Sequence, residues 1–281
     1  MRNSQDIVVG YDGSAEACQA VLWAVTQAVL RNCRLHLVHC HLRPVPPQDA
    51  PPVRAAAGNA VAPSPETILA EGVALAKGIA PELDVHESLI YGWPAMHLSK
   101  ISAAEEMLVV GSRGIGGFMG LLAGSVSLEL AATANCPVAV IRMPEQPPAG
   151  AVVVAIDATG SAAALADACS MAVLTGAALK VLHVRPDKNG LSLIRRRSSK
   201  VPADVLEAAL ASARNLAPGA SIEGELLTEK NAARAILKAS QDASLIVMGT
   251  TGRGLIKGVI GSTTHAVLHH ARGPVLVSRR N

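Results

Sequence analysis

The sequence predicts an α/β protein of two tandem halves, each a mostly parallel sheet with helices on both faces. Two observations predict it. Apolar runs of strand length alternate with segments of helical periodicity along the chain, the pattern of a parallel sheet whose crossovers are helices. The chain also repeats itself. "VVGSRGIGGFMGLLAGSVSLELAATANCPVAVI" closes the first half and "IVMGTTGRGLIKGVIGSTTHAVLHHARGPVLVS" closes the second. Asp12 aligns with Asp157, His39 with His183, Gly111 with Gly249, Gly124 with Gly261 and Pro137 with Pro274. The offset drifts only from 145 to 137 residues, which marks a duplication. At 281 residues the chain has room for two domains of about 140 residues, each with its own core.

The elements follow in order. Asp6–Gly10 reads as a short apolar strand that stops at Tyr11-Asp12-Gly13-Ser14. Ser14 is a good N-cap for a helix over Ala15–Arg31. Arg34–Cys40 is a second strand. His41–Pro65 holds seven prolines and is read as a long surface loop. Glu66–Ile79 is a helix, Val85–Ile90 a strand, Pro94–Ser102 a short helix and Met107–Val110 the fourth strand. The glycine-rich loop Gly111–Gly124 leads into a helix over Ser125–Ala134 and a fifth strand over Val138–Ile141. Pro144–Gly150 (PEQPPAG) reads as a linker. The second half repeats the order with strands at Val152–Ile156, Ala178–Val184, Ile222–Leu227, Leu245–Met248 and Val275–Ser278. Its helices are read at Ser161–Thr175, Ala203–Leu216, Ala232–Ser240 and Ser262–Ala271.

Composition narrows the class. Half of the residues are hydrophobic and only five are aromatic, so the cores are aliphatic, as covered parallel sheets usually are. No basic stretch precedes a long apolar run at the start, and no apolar window is long enough to span a membrane. The net charge of +3 does not point to nucleic acid. It is split unevenly: residues 1–145 hold 9 basic and 13 acidic side chains, a net of −4, and residues 146–281 hold 16 and 9, a net of +7. Opposite signs favour association of the halves or of two chains. Five cysteines with no C-x-x-C sit in apolar segments and read as reduced thiols of a reducing compartment.

The strongest chemical signal is the loop of the first half. Gly111-Ser112-Arg113-Gly114 is followed, after nine residues, by Gly124-Ser125-Val126-Ser127. Glycines let the backbone approach a ligand closely. Gly124-Ser125 opens a helix, whose free N–H groups and positive dipole end attract phosphate. Ser125 and Ser127 add hydroxyl donors, and Arg113 adds charge. Asp12 ends the first strand, at the carboxyl edge where open α/β sheets bind ligands. No G-x-x-x-x-G-K-[ST] occurs, and no G-x-G-x-x-G follows the first strand, so the Walker and dinucleotide loops are excluded.

Asp12 after the first strand, the G-x2-G-x9-G-[ST] loop over 111–125 and the closing Cys136-Pro137-Val138 resemble the universal stress protein family. The resemblance covers nearly the whole chain, as a tandem member of the kind common in actinobacteria. The loop is the hallmark of that family's ATP-binding branch. The resemblance implies two Rossmann-like domains, 1–143 and 151–281, joined by the linker 144–150, each with five parallel strands in the order 3-2-1-4-5. It implies ATP as ligand, with or without Mg, with adenine near Asp12 and the end of the second strand. Mapped onto this chain, the site comprises Gly10, Asp12, Cys40 (through its backbone), Gly111, Arg113, Gly114, Gly124, Ser125, Val126 and Ser127.

The second half departs from that pattern. Eight residues, not nine, separate Gly252 from Gly261; Thr251 stands for Arg113 and Ala155 for Gly10. Asp157, Gly249, Gly252, Gly261, Ser262 and Thr263 are retained. The expectation is an intact site in the first half and a weaker or absent one in the second. The functional expectation is an adenine-nucleotide sensor or binding module of the stress response, cytoplasmic, with an unidentified protein partner and neither nucleic acid nor membrane as partner. Two alternatives stand beside it. One is a slow ATPase or nucleotide-dependent transferase, for which no base that would activate water is evident. The other is a scaffold whose second half pairs Val275–Ser278 with Val138–Ile141. A homodimer through the fifth-strand edges is expected as well.

Other candidates are weaker. His39-Cys40-His41 alternate faces of a strand and do not converge on one metal. His265 and His269 are one helical turn apart without a third ligand. Arg195-Arg196-Arg197-Ser198-Ser199-Lys200 reads as a solvated loop. No metal site and no catalytic triad follows from spacing.

Overall fold

A computed structural model of the chain describes residues 5–42, 63–114, 123–142, 150–186, 202–250 and 258–279. The first half runs β1 (Ile7–Gly10), α1 (Ala15–Arg31), β2 (Leu35–His41), α2 (Pro65–Ile79), β3 (Val85–Tyr91), α3 (Pro94–Ile101), β4 (Met107–Gly111), α4 (Ser125–Thr133) and β5 (Val138–Ile141). The second runs β6 (Val152–Ile156), α5 (Ala162–Thr175), β7 (Leu179–Pro186), α6 (Pro202–Leu216), β8 (Ile222–Glu229), α7 (Ala232–Ala239), β9 (Leu245–Gly249), α8 (Ser262–His270) and β10 (Val275–Ser278). The bulk of the proline-rich loop, most of the linker and the Arg195–Lys200 run lie outside the described residues.

Local chemistry explains the element ends. Ser14 accepts the Ala17 N–H at 3.2 Å and starts α1. Asn32, in the left-handed region at φ 53°, stops it. Ala17, Ala20, Val21, Ala24, Val25 and Ala28 put one stripe of the helix against the sheet. In the second half the equivalent turn differs. Ser161 itself is left-handed (φ 44°), makes no cap bond to the helix, and α5 begins one residue later than expected. β7 and β8 run past the apolar segments that predicted them. Their exposed ends stay in register to Pro186↔Glu229, with Arg185 donating to Thr228 Oγ1 at 3.0 Å.

Each half has the strand order 3-2-1-4-5. The two are continuous in one ten-stranded sheet, β3-β2-β1-β4-β5-β10-β9-β6-β7-β8. All neighbours are parallel except at the seam, where β5 and β10 run antiparallel with Leu276 opposite Ala139. The internal pairing of the two fifth strands is therefore present. The expected homodimer through those edges is corrected: both strands are interior, their backbone bonding is used, and a second chain cannot add there.

The expectation of one core per half also changes. The two apolar cores are the two faces of the sheet, and each crosses the seam. One holds Ile7, Leu35, Leu37, Val154, Leu179 and Leu276 under α1, α2, α5 and α6. The other holds Val8, Leu108, Val110, Leu130, Met248, Val267 and Val277 under α3, α4, α7 and α8. A pair of reciprocal arginines pins the seam. Arg142, just after β5, donates to the Leu268 carbonyl in α8 at 2.5 Å. Arg279, just after β10, donates to the carbonyls of Ala132 and Ala134 at the end of α4. Each places a cation at the carboxyl end of the other half's helix, where the dipole welcomes it. Among the described residues no helix is long and apolar enough to cross a membrane, and all five cysteines are free.

Candidate functional site

At the carboxyl ends of β1, β2 and β4 the first half opens into a cavity of about 560 Å³. Every one of the ten residues mapped onto the first half lines it: Gly10, Asp12, Cys40, Gly111, Arg113, Gly114, Gly124, Ser125, Val126 and Ser127. They come from three strand ends and one helix start, so only the fold brings them together. Val38, Leu98 and Val110 add an apolar wall. Sequence reasoning passed over these three because they carry no distinctive chemistry.

The phosphate-sized corner is built from backbone. The N–H of Gly124 donates to the Ser112 carbonyl at 2.7 Å, and Ser127 Oγ bonds the same carbonyl at 3.2 Å. These bonds fix the start of α4 against β4. Gly124 makes no side-chain cap bond, so the first N–H groups of the helix are left to face the cavity. Gly114 lies close to Asp12: a Cβ there would stand 2.3 Å from Asp12 Oδ2. Asp12 Oδ1 accepts the Ser14 N–H at 3.0 Å, which turns its carboxylate along the cavity rim. Gly111 is tight against α1, where a Cβ would meet the Glu16 and Ala17 backbone at 2.9 and 3.0 Å.

Arg113 does not extend freely toward the cavity. Its guanidinium is held by Glu16 Oε1, with Nη2 at 2.6 Å and Nε at 3.0 Å. Glu16 was not singled out from sequence; its place in the first turn of α1 reads as ordinary helix-dipole chemistry. His39 is buried, with Nδ1 2.7 Å from the Tyr11 carbonyl, and His183 repeats this tie to the Ile156 carbonyl at 3.1 Å. Both histidines thus clamp the ends of the first strand of their half.

Burial pushes the Cys40 thiol up to about 11 and the Cys136 thiol, beneath β5, up to about 12, so both are neutral at physiological pH and poor nucleophiles. The sign of the linkage follows. Their folded pKa values stand above the ordinary 9.0, so the stability they contribute is complete below pH 9.0 and lost as pH rises through the folded values. For Cys136 the effect is on the order of 4 kcal/mol at full ionisation, at about 1.4 kcal/mol per unit. Urea midpoints are expected to hold steady up to about pH 9 and fall above it. Cys136→Ala should flatten the fall; an identical alkaline limb in that variant would assign the loss to other groups.

The second half keeps part of this geometry. Gly261 N–H donates to the Thr250 carbonyl at 2.8 Å, as Gly124 does to Ser112, and Thr264 Oγ1 takes the place of Ser127, bonding the Gly249 carbonyl at 2.7 Å. The start of α8, with Ser262 and Thr263, is thus tied to β9 despite the shorter loop. Gly252 and Thr251 lie outside the described residues. The acidic corner differs. Asp157 Oδ1 accepts from Thr159 N–H at 2.8 Å, Thr159 Oγ1 at 2.5 Å and Ser161 Oγ at 3.2 Å. Its carboxylate is engaged by its own turn. Among the described residues no atom lies within 4 Å of a would-be Cβ at Gly249, where Gly111 is closely packed.

Comparison with known proteins agrees with the duplication. The family model described as "Universal stress protein family" matches residues 3–142 and again 149–279. A universal stress protein of Mycobacterium tuberculosis is 34% identical over 298 residues, covering 100% of this chain and 99% of that protein. A second from the same organism is 30% identical, covering 97% and 94%. In fold, the chain is similar to a universal stress protein from Archaeoglobus fulgidus, with a TM-score of 0.64, 20% identity and coverage of 99% and 97%.

Proposed function

Since the chain belongs to the universal stress protein family, we propose that its first half binds an adenine nucleotide, ATP in the first instance, and that the protein works as a nucleotide-dependent binding module. One observation carries this reading: ten residues chosen from sequence converge on one cavity that ends in an uncapped helix start. The residues fit the ligand. The α4 N–H groups, that of Ser127 included, and the Ser125 hydroxyl suit the phosphates, Gly114 lacks the Cβ that would strike Asp12, and the wall of Val38, Leu98 and Val110 suits a flat heterocycle. Arg113 would reach the outer phosphates by exchanging its Glu16 partner for a phosphate oxygen, one charged acceptor for another. ATP supplies the signal through its occupancy.

The second half is the weaker or silent partner in this proposal. Asp157 Oδ1 is occupied by Thr159 and Ser161, and Ala155 stands at the Gly10 position. The test is to denature freshly purified protein and count released nucleotide per chain by chromatography and mass, with and without Mg in the buffer. One ATP per chain, lost in Gly124→Val and kept in Gly261→Val, is expected. Equal loss in both variants would remove the asymmetry, and no nucleotide before or after soaking with ATP would remove the binding reading. ADP release beyond one equivalent per chain, abolished by Asp12→Ala, would replace the module with the slow ATPase.

A further inference from the structure

At the other end of the same strands, away from the cavity, lies a second cluster that the sequence reading did not single out. Asp6 precedes β1, His36 sits on β2 and His86 on β3, with His36 and His86 register partners on adjacent strands. An Asp6 carboxylate oxygen and one ring nitrogen from each histidine all lie within 4.8 Å of one another. His86 Nε2 stands 3.4 Å from Asp6 Oδ2. That is the separation kept by two ligands of a tetrahedral ion with bonds of about 2.0–2.1 Å. The two rings stack with centroids 4.1 Å apart. We infer that Asp6, His36 and His86 form a binding site for a borderline divalent transition ion of the zinc class, with water completing its coordination.

The chemistry of the donor set selects the ion. Two imidazole nitrogens and one carboxylate oxygen suit zinc, nickel or copper and not magnesium, which prefers oxygen alone. The outer contacts are of the kind that orient metal ligands. Arg34 grips the Asp6 carboxylate with Nε at 2.8 Å and Nη2 at 3.2 Å, and Ser88 Oγ holds His36 Nε2 at 2.9 Å. The His86 side chain is 40% exposed, which gives an ion access from solvent.

The second half provides an internal comparison. Its sheet register places Ala151, Lys180 and Glu223 where the first half has Asp6, His36 and His86. There Lys180 pairs with Glu225, the counterpart of Ser88, at 2.7 Å. One half holds this position with an ion pair, and the other carries a chelating set. Among the described residues the site therefore occurs once.

The experiment is calorimetric titration of the full-length, EDTA-stripped protein with Zn²⁺, in a phosphine reductant, beside Co²⁺ absorption spectra and a Mg²⁺ control. Binding of one Zn²⁺ equivalent that depends on these residues is expected, with a Co²⁺ spectrum free of thiolate charge-transfer bands. His86→Gln and His36→Gln should each weaken Zn²⁺ binding by about 100-fold or more, beyond the ~10–100-fold that outer contacts contribute. His265→Gln with His269→Gln should leave that binding unchanged. Should His36→Gln fold poorly, the edge-strand His86→Gln variant decides, with its thermal midpoint in EDTA as the folding control. No Zn²⁺ binding, unchanged affinity in His86→Gln, or loss of binding in the His265/His269 double variant would overturn the inference.

Discussion

Gly114→Ala is expected to weaken ATP binding by about 10–100-fold while leaving the fold unchanged. The new Cβ would stand 2.3 Å from Asp12 Oδ2, so the carboxylate must swing away. Asp12 lines the cavity, and under the proposed function its displacement would remove a contact to the nucleotide. One hydrogen bond with a charged partner is worth about 1.5–3 kcal/mol, which gives that range in affinity. Gly114 is exposed, and the atom it would strike is the tip of a side chain, so thermal stability should change little. Gly78→Ala, in α2, is the control: among the described residues its Cβ meets nothing within 4 Å, and it should leave binding alone. Wild-type affinity in Gly114→Ala would mean that Asp12 makes no contact with the ligand.

Leu276→Ala is expected to lower stability by about 2–5 kcal/mol and to do so for both halves at once. Leu276 is fully buried in β10, opposite Ala139 of β5, and belongs to a core that extends under helices of both halves. Both tryptophans, Trp23 and Trp93, are in the first half, and Trp23 packs against that core. Tryptophan fluorescence thus reports on the first half and circular dichroism on the whole chain. In urea the two signals should share one midpoint and move together in the variant. A fluorescence midpoint unmoved by Leu276→Ala would mean that the halves unfold independently.

Much of the fold was legible because its signals are local. Ser14 before an alanine-rich periodic stretch located α1 to the residue, and apolar runs bounded by Gly or Pro located β5, β6 and β10. Boundaries failed where a strand continued into polar residues. Thr228 and Glu229 belong to β8 through pairing with β7, which is a property of the neighbour and not of the segment. The loop residues Gly111, Gly114, Gly124, Ser125 and Ser127 were legible from their spacing, and others of the ten cavity residues, Gly10, Cys40 and Val126 among them, only through the family resemblance. The apolar wall, the Arg113–Glu16 pair and the self-satisfied Asp157 turn were not, since each depends on which elements meet. Asp6, His36 and His86 lie on three separate strands. Only sheet register makes them neighbours.

The antiparallel seam decides what each half can reach. Strands on its two sides point in opposite directions, so the carboxyl ends of the first half's strands and those of the second emerge on opposite rims of the sheet. The sheet is in effect two-ended, with each half's strand ends opening on its own rim. The two rims are joined through the shared strands and the Arg142 and Arg279 crossings.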